Sequence, residues 1–206
     1  MNKFKIKICG VQDLNISRHC IKSNVDFLGF IFNVKESPRN IDFAKARDIL
    51  SSVSNEIETV VVVKNPSEET ILSIKNLPFS YIQIHGDFNP DEIERIKKLS
   101  KKKIIKAFNL QNKIDINEIE KYSKLSDFYL FDSKSSGSGI SFDWSLLNNI
   151  TFSREFFLSG GLNIENINDA ISSVNTNYFD LSSGVEDEKH VKSEDKITDL
   201  LKKIKK

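Results

Sequence analysis

Two side chains suited to moving protons stand at the ends of short extended runs. Cys9 follows Phe4-Lys5-Ile6-Lys7-Ile8, and Asp132 follows Phe128-Tyr129-Leu130-Phe131. A thiol has a pKa of about 8.5, so a partly ionised one can act as a base near neutral pH. A carboxyl at the end of an apolar strand is pushed up by desolvation and can hold a proton for delivery. Each residue also has an ordinary reading. A lone cysteine is commonly a small buried hydrophobe, and an aspartate after four apolar residues can simply cap a loop. His85, followed by Gly86, ends a third such run. Arg39 follows Ser37-Pro38; its planar fork suits a carboxylate, although a surface salt bridge is the commoner fate of an arginine. Ser159-Gly160-Gly161 and Ser182-Ser183-Gly184 place glycines where backbone N–H groups could approach an anion closely. The plain alternative is a pair of tight turns.

These groups need a scaffold that brings them together. Lys3 to Cys9 alternates apolar Phe4, Ile6 and Ile8 with lysine, the period of a strand. Further strands are expected over 26–32, 59–63, 81–85, 103–108, 128–132, 155–159 and 178–182. Asp26–Phe32 is almost continuously apolar, as in a strand covered on both faces. Helical stretches are expected up to about Ser23, over 42–52, after Asn65-Pro66-Ser67, from Asn89-Pro90-Asp91 to about Ser100, over 116–123, 144–149, from Asn163 to Ser173, and over 195–205. Pro66 suits a first helical turn, where its missing N–H costs little. The strand ends fall 22 to 31 residues apart. Eight βα units of about 25 residues point to a single-domain (β/α)₈ TIM barrel over residues 1–206, with a doubly wound open sheet as the alternative. In such a barrel the site lies at the C-terminal strand ends, with phosphate at the seventh and eighth exits. Cys9, His85, Asp132 and both glycine exits would share that rim.

The totals narrow the partners. The 206 residues carry 30 basic and 29 acidic side chains, a formal net charge of +1. That balance gives no general attraction to nucleic acid or anionic membrane. The lysine runs at 101–103 and 202–206 read as solvated helix faces. No apolar run approaches the ~20 residues of a membrane span, and no signal peptide is evident. Two cysteines do not make a disulfide framework, so a cytoplasmic location is expected. Cys20 reads as helix core, and His19 and His190 as surface. No Cys, His and carboxylate spacing suggests a metal.

Several short motifs follow one another along the chain: Lys7-Ile8-Cys9-Gly10, Leu28-Gly29-Phe30-Ile31-Phe32, Ser37-Pro38-Arg39, Gln83-Ile84-His85-Gly86, Phe142-Asp143-Trp144, Ser159-Gly160-Gly161-Leu162-Asn163 and Asp180-Leu181-Ser182-Ser183-Gly184-Val185-Glu186. In this order and strand placement the chain resembles, nearly end to end, the phosphoribosylanthranilate isomerase family of tryptophan biosynthesis. The resemblance implies an Amadori rearrangement of N-(5-phosphoribosyl)anthranilate without a cofactor. It implies Cys9 as general base and Asp132 as general acid, and Arg39 on the anthranilate carboxylate. Gln83, His85 and Asp180 would be further substrate-binding residues. Gly160, Gly161, Ser183 and Gly184 would hold the phosphate. The chain departs from the family after the sixth strand, where Ser135-Ser136-Gly137-Ser138-Gly139 replaces a Gly-Gly-Thr-Gly-like stretch. Two other readings remain: a different sugar-phosphate isomerase or epimerase, and a non-catalytic barrel binding a phosphoribosyl ligand. A monomer and a homodimer are both compatible with the sequence.

Overall fold

Parallel strands and intervening helices alternate along the chain in a computed structural model that describes residues 3–110, 113–133 and 141–204. The serine- and glycine-rich stretch after the sixth expected strand and the last two lysines lie outside the described residues. The elements are β1 (Lys5–Cys9), α1 (Leu14–Lys22), β2 (Phe27–Phe32), β3 (Asn40–Ile41), α2 (Phe43–Val53), β4 (Glu58–Lys64), α3 (Glu68–Lys75), β5 (Tyr81–His85), α4 (Pro90–Ser100), β6 (Lys103–Leu110), α5 (Ile116–Glu120), β7 (Phe128–Ser133), a 3₁₀ turn (Trp144–Leu147), β8 (Phe156–Leu158), α6 (Ile167–Ser173), β9 (Tyr178–Leu181), β10 (Glu186–Glu188), β11 (Val191–Lys192) and α7 (Glu194–Ile204).

Strands β1, β2, β4, β5, β6, β7, β8 and β9 pair in parallel in that order, and β9 returns to β1, closing the barrel. The open-sheet alternative is therefore excluded. Two additions were not legible in the sequence. The two-residue β3 pairs alongside β2, and β10 with β11 forms a separate antiparallel ribbon after β9.

Short polar side chains set the helix starts. The Ile16 N–H donates to Asp13 Oδ1 (2.9 Å), the Lys45 N–H to Asp42 Oδ1 (2.8 Å), and Asn89 with Glu92 forms a reciprocal capping box. Pro66 precedes the Ser67 cap of α3 rather than entering its first turn. The helix expected from Asn163 begins only at Ile167. The Asn163 carboxamide oxygen accepts from the N–H groups of Glu165 and Asn166, which holds that segment as a turn.

The apolar sides of the strands mostly face outward. Ile6, Ile8, Leu28, Phe30, Val61, Ile82, Ile84, Phe131 and Phe179 pack under helix residues such as Ile49, Leu50, Ile71, Ile93 and Leu200 in one large core. A smaller core fills the barrel itself, with Phe27, Val60, Val62, Tyr81, Ile105, Leu130 and Phe157. Its lower part is an aromatic floor. Phe27, Tyr81, Phe128, Phe157 and Tyr178 meet with ring centroids 5.0–6.4 Å apart, several of them edge to face. This floor fills the lower part of the barrel, so polar groups higher on the same strands face the space above it.

Candidate active site

A cavity of about 770 Å³ lies at the C-terminal strand ends. Cys9, Gln83, His85, Asn109, Asp132 and Asp180 line it, together with Arg39, Ser159, Gly160, Gly161, Ser182 and Ser183 from the exits and loops. Strand alternation explains the set. Residues at two-residue spacing share a face, and Phe27, Tyr81, Phe128, Phe157 and Tyr178 mark the inward face near the floor. Two or four residues further on stand Gln83, His85, Asp132, Ser159, Asp180 and Ser182. On β1 the inward set is Lys7 and Cys9. The lysine side of that alternation thus turns into the barrel, and Ile6 and Ile8 turn to the helices.

Lys7 is fully buried, and its Nζ donates to Asp180 Oδ1 at 3.0 Å. Both groups lie beside Cys9. Burial pushes the Cys9 thiol up; the Lys7 ammonium pulls it down, Asp180 pushes it up and Lys192 pulls it down, and burial prevails. Burial opposes the charge on Lys7, yet Asp180 and Cys9 outweigh it and raise its pKa. For Asp180 burial prevails over the pull of Lys7, and its pKa is raised. Gly29 on the neighbouring β2 leaves the space for this cluster. A Cβ there would lie 2.9 Å from Cys9 Sγ and 3.0 Å from Lys7 Nζ.

Arg39 is buried, not on the surface. Its Nε and Nη2 donate to Glu186 Oε1 and Oε2 at 2.7 and 2.9 Å. Lys192 Nζ donates to the same Oε1 at 2.5 Å and to the Ser182 carbonyl at 3.0 Å, and Ser182 Oγ donates to the Cys9 carbonyl at 3.1 Å. Burial would raise the Glu186 carboxyl, but hydrogen bonds from Arg39 and Lys192 hold it at about 2. Two of the five guanidinium N–H donors are thus engaged, and Arg39 still lines the cavity.

His85 is held neutral, its pKa lowered to about 3 by burial and by the charges of Lys7, Lys106 and Lys64. A neutral ring can accept at Nε2, where Gln83 Nε2 lies 2.8 Å away. Gln83 Oε1 is buried with no hydrogen-bond partner among the described residues. Asp132 is 6% exposed, and its Oδ1 accepts from the Ser133 N–H at 2.8 Å. Gly160 packs against it with φ +88°. A Cβ at Gly160 would sit 2.8 Å from the Ser133 nitrogen and 3.0 Å from Asp132 Oδ1.

The two glycine exits differ. Gly160, Gly161 and Ser183 line the cavity, whereas Gly184 is not among its lining residues. Gly184 is bridged to Asn163, and a Cβ on it would run into the Leu162 carbonyl oxygen at 2.0 Å. Its need for glycine is close packing of the two exits against each other. Nor does a helix begin at Asn163, as the sequence pattern suggested, but only at Ile167. Lys7, Glu186 and Lys192 are the groups that residue-by-residue reading missed. Lys7 carried a usable signal, since it shares the strand face of Cys9. Glu186 and Lys192 carried none that was local.

Comparison with known proteins agrees with this architecture. Residues 6–203 match the family profile described as N-(5′-phosphoribosyl)anthranilate (PRA) isomerase. An N-(5′-phosphoribosyl)anthranilate isomerase from Petrotoga mobilis is 37% identical over 187 residues, which is 88% of this chain and 87% of the relative. The crystal structure of the phosphoribosylanthranilate isomerase from Thermotoga maritima superposes with a TM-score of 0.87 at 31% identity, covering 98% of each chain. A phosphoribosylanthranilate isomerase in complex with reduced 1-(o-carboxyphenylamino)-1-deoxyribulose 5-phosphate gives 0.84 at 30% identity, again over 98% of each chain.

Proposed function

Because the chain belongs to the N-(5′-phosphoribosyl)anthranilate isomerase family of tryptophan biosynthesis, we propose that Cys9 and Asp132 are the base and the acid of its Amadori rearrangement. Asp132 donates its proton to the ribose ring oxygen. The C1′–O bond breaks, and the anilino nitrogen supplies the electron pair that makes a C1′ iminium. Cys9, as thiolate, removes the C2′ proton, and the electrons of that C–H bond neutralise the iminium to give an enolamine. Tautomerisation, with a proton returning to C1′, yields the 2′-ketone of 1-(2-carboxyphenylamino)-1-deoxyribulose 5-phosphate. The iminium acidifies C2′, so a thiolate is a sufficient base. Arg39 binds the anthranilate carboxylate with the guanidinium edge that Glu186 leaves open. Gly160, Gly161 and Ser183 hold the phosphate through backbone N–H groups. Gln83, His85 and Asp180 contact the sugar and the anilino nitrogen.

One observation carries this reading: Cys9 and Asp132, from strands far apart in the chain, open on one cavity that Arg39 and the Gly160-Gly161 exit also line. The test is a fluorescence assay for loss of phosphoribosylanthranilate. Cys9→Ala and Asp132→Asn should each lower kcat by at least about 10²-fold, the scale of a general acid or base. Arg39→Ala should act mainly on KM. Near-normal turnover in either of the first two variants removes the corresponding role.

A further inference from the structure

The least expected group in the barrel is Lys7, a lysine with no exposed surface that the rearrangement as written does not use. Isolated buried ammonium groups are costly and persist only with partners. One partner is evident in Asp180, 3.0 Å from Nζ. A lysine has three N–H donors, however, and a single carboxylate oxygen takes one. The rest of its surroundings point to Cys9. The two side chains lie on the same face of β1, two residues apart, and Gly29 on β2 keeps both from being displaced. The sulfur and the ammonium flank the same small space, within 2.9 and 3.0 Å of where a Gly29 Cβ would be.

We propose that Lys7 is a positioning residue of the isomerase site: anchored by Asp180, its ammonium stands beside Cys9 Sγ and stabilises the thiolate when it forms. This inference rests on the assignment of Cys9 as base. The other charged groups near the sulfur do not duplicate Lys7. Lys192 and Arg39 also favour the thiolate or are favoured by it, but both are tied to Glu186. Asp180 opposes the thiolate, and β2 presents the uncharged Gly29 and Ile31 here. His85 is neutral, and Asp132 lines the same cavity. Lys7 is therefore the one cation in this set whose ion-pair partner, Asp180, stands beside the same sulfur. The pair explains how a thiol in a site that disfavours its ionisation can still give up a proton. The ammonium supplies a fixed positive charge without exposing the sulfur to water.

The experiment follows alkylation of Cys9 by iodoacetamide as a function of pH, read at the Cys9 peptide by mass spectrometry, so that no turnover is needed. Lys7→Met should move the alkaline limb upward by at least about one pH unit, the smallest shift expected of a charge at this range. Because that variant leaves Asp180 buried beside an apolar chain, the neutral pair Lys7→Met with Asp180→Asn is measured beside it. It should also move upward, since the pull of Lys7 on the thiol exceeds the push of Asp180. Turnover should fall in kcat rather than KM. A lysine that only fills the barrel would leave the limb in place, or lower it as the sulfur became wetter, and either result overturns the proposal. Failure of the Cys9 assignment is separate: it would appear as turnover by Cys9→Ala, whatever the alkylation profile.

Discussion

Arg39 and Glu186, 147 residues apart in the chain, meet in a buried two-point ion pair of 2.7 and 2.9 Å. It ties the loop after β2 to the ribbon after β9 and fixes the plane of the guanidinium at the cavity wall. Lys192 donates to the same carboxylate, so two cations share one negative charge and the group as a whole stays positive.

If Glu186 aims Arg39, Glu186→Gln should loosen the fork while leaving the acid and base in place. KM should rise at least about tenfold, the equivalent of ~1.4 kcal/mol, with a smaller change in kcat. Steady-state kinetics decide it; an unchanged KM would separate Arg39 from its supposed support.

Acid stability should fall in two distinguishable steps. His85 has a folded pKa of about 3 against 6.5 in a model peptide, so below 6.5 the unfolded chain binds the extra proton and stability drops as pH falls toward 3. Glu186 has a folded pKa of about 2 against 4.5, so its contribution is present above 4.5 and is lost as pH falls toward 2. His85→Gln should flatten urea-derived stability between pH 6.5 and 4.5, and Glu186→Gln should flatten it below 4.5. The imidazole NMR shift of His85 should stay constant from pH 8 to pH 4.

Activity should depend on pH through the raised Cys9 thiol. Ionisation makes the base, so in Asp132→Asn, where no acid titrates at that position, the residual kcat/KM should climb with pH through neutrality and level only above the ordinary thiol value of about 8.5. A plateau already reached at pH 7 would mean that some other group sets the limb.

Gly160→Ala should damage the acid rather than the base. The residue has φ +88°, and a methyl group there would press on Asp132 Oδ1 and the Ser133 nitrogen. Backbone strain of about 1–3 kcal/mol is expected. A displaced acid should lower kcat by at least about tenfold. Thermal melting and kcat, measured together, test both parts. Normal kcat in a destabilised variant would mean that Asp132 tolerates the displacement.

Much of the fold was legible because its signals are local. Tyr81–His85 begins and ends where the sequence pattern places a strand. Asp13, Asp42 and Asn89 cap helices as their types suggest. Where the pattern misled, a local hydrogen bond had intervened, as when the Asn163 side chain delays the start of α6 by taking the amides of Glu165 and Asn166.

By itself the sequence determined the order of the eight barrel strands and of the helices between them, and it brought Cys9, His85, Asp132 and the glycines to strand ends. Those features depend on neighbours a few residues away. Which side of β1 faces the barrel was decided only when β9 returned to β1, because alternation defines two faces and not which one is inside. Closure sent Ile6 and Ile8 to the helices and Lys7 inward to Asp180, 173 residues distant. Closure also set Glu186 on Arg39 and moved Gly184 out of the cavity wall. Ion pairs and close backbone approaches of this kind form between segments with no sequence proximity, so only the tertiary structure could assign their partners.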